Sequence, residues 1–261
     1  TVNHLETHSM YRPSRACIAF LALLVVVSAA TAAQPVVYLP FEEAAGDTVK
    51  DASESGNDGT IAGAVTRVDG RFGRAIELAA GGHVDLVEIP VYDVTSAVTI
   101  VVWVATDAVT TWARIVDKSQ WQSNGFDIAL SQVTHAPFFE FFVDDTTTQA
   151  LATTPADDGE WHFIAGTFGG KVARIYVDGV MEQEVASTGD VDIATNDWPI
   201  RLGREANAAM GQQYIGKLDE VAMYDVELSE AEILDIYENG MPATLGVTAM
   251  RKLAVAWAAL K

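Results

Sequence analysis

Short runs of β-forming residues recur along most of this 261-residue chain, and glycine, aspartate, asparagine or proline separates one run from the next. Such spacing is typical of an antiparallel sandwich or barrel. The hydrophobic fraction of 49% is enough to fill a core without cross-links. The clearest runs are Val98–Ala105, Ala113–Lys118, Phe126–Leu130, Phe138–Val143, Trp161–Phe168, Val172–Val177 and Leu218–Tyr224. We therefore predict an all-β fold, an antiparallel two-sheet sandwich.

Two local patterns refine this prediction. Asp178-Gly179 follows an apolar run and predicts a type I′ hairpin, because both turn positions need a positive φ. Ser229 and Glu232 have the spacing of a capping box, with Leu228 and Ile233 placed as its hydrophobic staple. This pattern predicts a short helix near the C-terminal end of the domain, which we expect to plug or cover an open end of the sandwich; binding of a partner is the alternative.

The N-terminal residues 1–33 have the pattern of a secretory signal peptide. Arg12 and Arg15 precede an apolar stretch, Cys17–Val27, and small residues up to Ala33 follow it. The apolar stretch has 11 residues, short of the roughly 20 that span a bilayer. We expect translation to start at Met10 and the mature protein to be secreted or extracellular/periplasmic. An uncleaved membrane anchor is the alternative.

No repeat or Pro/Ser-rich linker interrupts residues 36–240, so we predict one domain there. Residues 241–261 form a short C-terminal tail in which apolar side chains recur with helical spacing. These side chains are Met250, Leu253, Trp257 and Leu260. Docking on the sandwich, binding of a partner and a flexible tail all remain open.

The charge of the chain excludes several classes of partner. The formal net charge is −20, and residues 36–240 alone hold 11 basic and 35 acidic residues, a net charge of −24. Binding to nucleic acid needs a basic surface, and Coulomb repulsion disfavours anionic glycans and membranes. Neutral or cationic partners and divalent cations suit such a surface. We expect no stable membrane span after signal cleavage, and oligomeric state stays open.

Four ordered segments carry a family resemblance. They are PFEEAAGDTVKDASESGNDGTIAG at 40–63, GRFGRAIEL at 70–78, DDGEWHFIAGTFGGKVARIYVDGV at 157–180 and IGKLDEVAMYDVELSEAEI at 215–233. Together they resemble the LamG-like (laminin G type) jelly-roll domains of the concanavalin A-like lectin/glucanase superfamily. The resemblance implies two sheets packed face to face, with loops clustered along the rim.

Some relatives of this fold hydrolyse glycans with paired carboxylates on one strand, which requires even spacing such as E-x-D-x-E. The sequence has no such run. Glu140 with Asp144 and Glu182 with Glu184 are the candidate pairs. Asp144 falls in a predicted turn and the second pair follows a hairpin, so we expect a protein that is not an enzyme, with no catalytic residues.

A structural calcium is the cofactor that the sequence makes conceivable. The loop from Asp51 to Gly59 is rich in oxygen donors, which calcium prefers. In relatives of this fold a calcium often joins the first strand to the last. The resemblance therefore implies Glu42, Asp51 or Asn57, and Asp219 as ligands. A loop of Asx turns without metal is the alternative.

Glycan recognition pairs an aromatic platform with polar side chains. Trp112 and Trp121 lie in one stretch with Lys118 and Asn124, and we read this stretch as a binding loop. Tyr214 and Trp198, at other loop ends, are weaker candidates.

We thus expect an exported, non-catalytic module that binds a glycan or an extracellular protein through the rim or concave face. A structural or adhesion protein that uses the sandwich only for assembly is the alternative, and a glycoside hydrolase-like enzyme is a third possibility. Fold alone does not choose among them.

Overall fold

Two antiparallel β-sheets and one α-helix make up the computed structural model of this protein, within the residues that it describes, 33–120, 124–143, 146–187, 192–207 and 211–241. The helix α1 is Glu230–Asn239. In chain order the strands are β1 Val37–Leu39, β2 Thr48–Val49, β3 Gly59–Ala62, β4 Val65–Asp69, β5 Arg74–Leu78, β6 His83–Leu86, β7 Val98–Ala105, β8 Ala113–Gln120, β9 Asn124–Leu130, β10 Pro137–Val143, β11 Thr146–Leu151, β12 His162–Gly169, β13 Val172–Val177, β14 Val180–Ala186, β15 Ile200–Leu202 and β16 Gly216–Tyr224.

Each sheet has eight strands among the described residues. Sheet A has the order β14-β13-β12-β7-β16-β5-β4, and β1 pairs with the second half of β16. Sheet B has the order β11-β10-β9-β8-β15-β6-β3-β2. The antiparallel two-sheet sandwich predicted from the recurring β-runs is confirmed, and the jelly-roll architecture implied by the resemblance agrees with it.

The main core lies between the sheets, where alternate side chains of each strand meet those of the opposite sheet. Phe141 of β10 packs against Phe168 of β12 with ring centroids 4.4 Å apart. Phe139 lies so close to Gly166 that a Cβ at this glycine would approach its ring within 2.6 Å. The opposite parity of β10, Phe138 and Glu140, therefore points to the outer face of sheet B.

Helix α1 begins at the predicted capping box, but it covers the outer face of sheet A and not an open end of the sandwich. Ser229 accepts a hydrogen bond from Glu232 N at 3.4 Å, and its own N–H donates to Glu232 Oε2 at 2.8 Å, which completes the capping box. Tyr237 of the helix stacks on Trp103 of β7 at 5.6 Å between ring centroids. Trp103 is buried. The helix thereby covers the central strands of this face.

The predicted hairpin at Asp178-Gly179 is confirmed, since both residues have positive φ, 49° and 80°. The signal peptide predicted in residues 1–33 and the tail predicted in 241–261 lie outside the described residues except for Ala33 and Met241, so both stay predictions. No helix in the described ranges has the length and apolar character needed to cross a membrane.

Candidate functional site

The loop 192–199, between β14 and β15, is anchored at one end of the sandwich. Ile193 is buried in the core, and its N–H donates to Thr95 O at 2.7 Å. Ala194 O accepts a hydrogen bond from Gly125 N, on β9, at 2.9 Å. Backbone bonds on two sides thus fix the path of this loop.

Asn196 shapes the middle of the same loop. Its Nδ2 donates to Lys118 O at 3.1 Å, and its Oδ1 accepts from Trp198 N at 2.9 Å. The second contact is an Asx turn, in which a short amide side chain bonds the backbone two residues ahead. Pro199 then restricts Trp198 to an extended backbone. The backbone that carries the indole is therefore held in place.

Lys118 fastens the loop from beneath. Its ammonium group is buried and donates to Glu88 Oε2 at 2.7 Å, Asn196 O at 2.9 Å and Trp198 O at 3.2 Å. An ammonium group has three N–H donors, so these contacts use all of them. Lys118 positions the loop, and its burial leaves it no surface to offer a ligand.

An open cleft of about 490 Å³ lies between this loop and the start of β9. We call it the rim cleft, lined by Asp93, Asn124, Thr195, Asn196, Asp197 and Trp198. Trp198 is half-buried and therefore still partly accessible. An aromatic ring beside amides and carboxylates can contact the apolar face of a sugar and its hydroxyl groups together.

The rim cleft includes one residue of the predicted binding stretch and leaves out others. Asn124, a predicted ligand residue, lines the cleft, whereas Lys118 lies beneath it. The stretch from Asp117 to Lys118 is strand β8 and not part of a loop. Trp121 lies outside the described residues. Whether any of these side chains binds a ligand stays a prediction.

Tyr214 is fully buried, and its hydroxyl group donates within the fold, with Ala105 O at 3.2 Å and Lys217 O at 3.0 Å as neighbours. Because no part of its ring reaches solvent, Tyr214 acts in the core and not as a ligand platform.

Trp112 lies away from the rim cleft. It precedes β8, whereas Asn124 follows the turn after β8, so the two residues lie at opposite ends of this strand. The Trp112 ring meets Phe138 edge-on at 5.7 Å, on the outer face of sheet B. The structure therefore does not bring the predicted aromatic contact, Trp112, together with the predicted amide contact, Asn124.

A row of polar side chains crosses the outer face of sheet B. The register places its members opposite one another on seven adjacent strands: Thr60, Asp85, Arg201, Asp117, Asp127, Glu140 and Gln149. We call this set the polar row. Its centre is buried although its ends are partly exposed.

Arg114 balances the centre of the polar row. Its Nη1 contacts Asp127 and lies 2.9 Å from Glu140 Oε1, and its Nε lies 3.7 Å from Asp117 Oδ2. Burial alone would lower the pKa of Arg114, but the carboxylates of Asp127, Asp117 and Glu140 raise it. One guanidinium group faces three carboxyl groups, so the cluster carries excess negative charge unless it binds protons.

Two carboxyl groups of this cluster have raised pKa values. Burial raises the pKa of Asp117 to about 6, against the lowering effect of Arg114. Burial also raises the pKa of Asp127 well above its ordinary value, and the neighbouring Glu140 adds to this. Asp127 Oδ2 accepts no hydrogen bond from the described residues, so a proton on Asp127 directed at Glu140 would relieve both groups.

The four predicted calcium ligands all make hydrogen bonds within the protein, the three carboxylates as acceptors and the Asn57 amide as a donor. Asp51 accepts hydrogen bonds from Tyr38 N, Ser53 N and Asn57 N, all at 2.9–3.0 Å. This is the Asx-turn arrangement considered as the alternative. The amide Nδ2 of Asn57 donates to Val87 O at 2.7 Å.

Asp219 and Glu42 contact the β4–β5 hairpin. Asp219 Oδ2 accepts from Phe72 N at 2.9 Å, and Glu42 Oε1 accepts from Arg74 N at 3.2 Å. Burial raises the pKa of Asp219 to about 8. Across the described ranges no group of three or more His, Cys, Asp or Glu side chains is placed to hold a metal. These side chains do not form a ready cation site, and the calcium stays a prediction.

The carboxylate pairs considered for catalysis have structural partners. Glu140 contacts Arg114 and accepts from Gln149 at 2.8 Å, while Asp144 lies outside the described residues. Glu182 Oε2 accepts from Thr153 N at 2.6 Å and so fixes a neighbouring loop. Both Glu140 and Glu182 thus take part in contacts that support the fold.

Sequence reasoning missed the polar row and most of the rim cleft. The N-D-W-P segment at 196–199 contains an Asx-turn residue before a tryptophan fixed by proline, which is a readable pattern for a presented aromatic ring. The polar row has no such pattern within one strand, because its carboxylates come from different strands.

The chain matches a known protein family, and its fold is similar to those of several solved structures. A laminin G family model, described as concanavalin A-like lectin/glucanases superfamily, matches residues 78–234. No curated protein matches the sequence.

Among solved structures, the binding domain of Paraclostridial Mosquitocidal Protein 1 is similar, with a TM-score of 0.64 and 16% identity over 78% of this chain and 52% of that one. Domain 4 of AbnA, a GH43 extracellular arabinanase from Geobacillus stearothermophilus, in complex with arabinotriose, gives a TM-score of 0.63 and 16% identity over 78% of this chain and 98% of that domain. The binding domain of botulinum neurotoxin DC in complex with SialylT gives 0.60 and 12% over 80% and 51%.

This chain spans about half the length of the toxin chains. At identities of 12–16% the structural similarities establish the fold and leave the ligand open. The family match covers more than half of the sequence and agrees with the observed two-sheet architecture. The chain therefore belongs to the laminin G type of the concanavalin A-like lectin/glucanase superfamily.

Proposed function

We propose that this protein is an exported, non-catalytic carbohydrate-binding module that takes its ligand at the rim cleft. One observation carries the proposal. Trp198 is held half-buried by an Asx turn and by Lys118, next to the amides of Asn124 and Asn196. A tryptophan whose backbone is fixed before the ligand arrives loses less conformational freedom on binding.

The comparisons support this proposal at the level of class. Two of the similar solved structures are titled as complexes, one with arabinotriose and one with SialylT, and two are titled as binding domains. Glu140 and Glu182, two of the carboxylates considered for catalysis, make structural contacts. Binding without chemistry is thus the simplest use of this fold here.

Glycan-array screening followed by calorimetric titration tests the proposal. Substitution Trp198→Ala should weaken the binding of the best glycan at least about tenfold, because loss of a ring contact of about 1.5 kcal/mol corresponds to that factor. Trp112→Ala is the matched control, since it removes the same side chain from the outer face of sheet B. Equal weakening by both variants, or an array with no glycan bound, would contradict the proposal.

Export is a separate part of the proposal and rests on the sequence of residues 10–33. Sequencing the N-terminus of the protein recovered from the culture medium or periplasm tests it. We expect the mature chain to begin just after Ala32 or Ala33. A chain that retains Met10 would mean that the segment is not cleaved.

A further inference from the structure

The exposed side of helix α1 has apolar surface that no described residue covers. Ala231 and Leu234, one turn apart on the helix, are both exposed, and Leu234 is 40% exposed. An open groove of about 180 Å³ lies beside this turn, and we call it the α1 groove. It is lined by Ala33, Tyr224, Leu228, Ala231, Glu232, Asp235 and Ile236.

The floor of the α1 groove belongs to the apolar core of this face. Tyr224, Leu228 and Ile236 are members of the apolar cluster between α1 and sheet A. The charged side chains that line the groove are the carboxylates of Glu232 and Asp235. Amphipathic helices bind hydrophobic grooves with their apolar side. The α1 groove and the exposed turn next to it therefore have the character of a surface that accepts a second helix.

The C-terminal segment 242–261 leaves the described fold next to this groove. Met241 is buried, and its Sδ lies 3.8 Å from the hydroxyl group of Tyr224, which lines the groove. The eight residues 242–249 span up to about 26 Å when extended, and the ten residues of α1 span about 15 Å. The residues that follow can therefore reach any point along the helix.

The segment also has the apolar side chains that such a groove requires. Met250, Leu253, Trp257 and Leu260 recur with helical spacing, so a helix would carry all four on one side. Isolated helices of about this length are marginal in water, and most of their stability in proteins comes from packing of an apolar side. Docking on α1 supplies that packing.

The charges of the two partners are opposite. Helix α1 has four acidic residues and no basic one: Glu230, Glu232, Asp235 and Glu238. The segment 242–261 has three basic residues and no acidic one: Arg251, Lys252 and Lys261. The helix dipole favours positive charge at the last turn of a helix, yet the last turn of α1 holds no basic residue. A basic segment packed along α1 would supply this charge.

We propose that the segment 242–261 docks as a second helix in the α1 groove of its own chain. Trp257 is the apolar anchor of this contact, and Ala231 and Leu234 belong to the surface that receives it. Of the three possibilities that the sequence leaves open for this segment, the position of Met241, the apolar groove and the opposite charges favour docking. The contact is independent of the rim cleft, which lies on sheet B.

Limited proteolysis of the full chain with trypsin, followed by mass spectrometry, tests the inference. Trypsin cleaves after Arg251 and Lys252, and docking should protect both sites. The synthetic peptide 242–261 sets the rate for an undocked segment. We expect cleavage in the intact chain to be at least about tenfold slower than in this peptide, because proteolysis follows the population of the open form.

Substitutions in the segment identify the side of the helix that docks. Trp257→Ala should accelerate cleavage about tenfold, since it removes the largest apolar contact. Val255→Ala is the matched control, because Val255 lies on the other side of such a helix. This control should change the rate less than about twofold.

Substitutions on α1 identify the groove. Ala231→Gln keeps a good helix former but places polar bulk in the groove, and it should accelerate cleavage about three- to tenfold. Ala79→Gln is its control, since Ala79 is an exposed alanine that lines a different groove. Asp235→Asn removes one carboxylate and should accelerate cleavage about two- to fivefold.

Three results would overturn the inference. If the intact chain is cleaved as fast as the free peptide, the segment is not docked. If Trp257→Ala accelerates cleavage and Ala231→Gln does not, the segment binds another surface. If the protection disappears on dilution, the segment occupies the groove of a second copy of the chain.

Discussion

Asp117 and Asp127 lie directly opposite one another on the neighbouring strands β8 and β9, and neither reaches solvent. Like charges at such cross-strand positions destabilise a sheet. The folded sheet accommodates this pair because Arg114 contacts both carboxyl groups. The raised pKa values of the two aspartates also favour a bound proton, which removes one negative charge. The stability of the fold therefore depends on solution pH.

We predict that the protein becomes less stable as the pH rises from about 4.5 to about 8.5. A carboxyl group whose pKa is higher in the folded state binds its proton more readily there, so its contribution is full below the unfolded value of about 4 and is lost as the pH passes the folded value. The folded pKa is about 6 for Asp117, about 7 for Glu220 and about 8 for Asp219, and burial is the main cause in each case. His162 acts in the same direction: burial lowers its pKa, but Asp178 and Asp158 raise it overall.

Thermal unfolding followed by circular dichroism at several pH values measures this effect. The Tm should fall as the pH rises, and Asp219→Asn should flatten the upper part of the curve. A Tm that is constant or rises over this range would contradict the raised pKa values.

Arg114→Met should destabilise the protein by about 3–5 kcal/mol, because it leaves three buried carboxyl groups without their counter-charge. Arg114→Lys should recover only part of this loss, since a lysine cannot reproduce the forked contacts of a guanidinium group. Urea unfolding provides the measurement. Arg74→Met, at an exposed position, is the control and should change stability by less than about 0.5 kcal/mol.

Gly125→Ala should dislodge the loop that carries Trp198. Gly125 has a φ of 93°, and an added Cβ would lie 2.6 Å from Asn196 Nδ2 and 2.8 Å from Ser119 Cα. Gly46→Ala is a close control, because Gly46 has a φ of 94° but open space around its Cβ position. The free energy of unfolding of the control should fall only by the cost of backbone strain, about 1–2 kcal/mol.

We expect the Gly125 variant to lose clearly more stability than the Gly46 variant in urea unfolding, and to lose glycan binding as well. Equal losses for the two variants would mean that the loop adapts without cost. That result would also weaken the case for a preformed rim cleft.

The structural calcium implied by the resemblance has a direct test. If calcium joins the first strand to the last, EDTA should lower the Tm and added calcium should restore it, since a ligand that binds only the folded state stabilises it. Asp51→Asn should then reduce the calcium response. A Tm unchanged by EDTA would remove calcium from the description of this fold.

The sequence was informative wherever local chemistry decides structure. The β-runs, the Asp178-Gly179 hairpin and the Ser229 capping box each depend on neighbours within a few residues, and all three appear as predicted. These features fix the fold class and the helix that covers sheet A.

The candidate site was less predictable, because it depends on strand register and on burial. In the sequence, Lys118 is a polar side chain of the kind that contacts ligands. In the structure it lies beneath a loop whose Asn196 is 78 residues later in the chain. The polar row joins residues that share no local pattern, and a register shift in β8 near Arg114 decides which side chains face outward. The neighbours of each residue along the chain therefore do not show which side chains meet across the sheet.

The two ends of the described fold meet at one corner. Ala33 and Met241 both pack in the apolar cluster beneath α1, and Val36 N donates to Met223 O at 2.7 Å where β1 begins. A force that pulled these ends apart would load α1 and β1 first and would peel β1 from β16 one hydrogen bond at a time. The rim cleft lies on sheet B, outside the elements that would carry this force first. A copy of this domain anchored through its two ends would therefore keep its ligand bound until β1 and α1 began to detach.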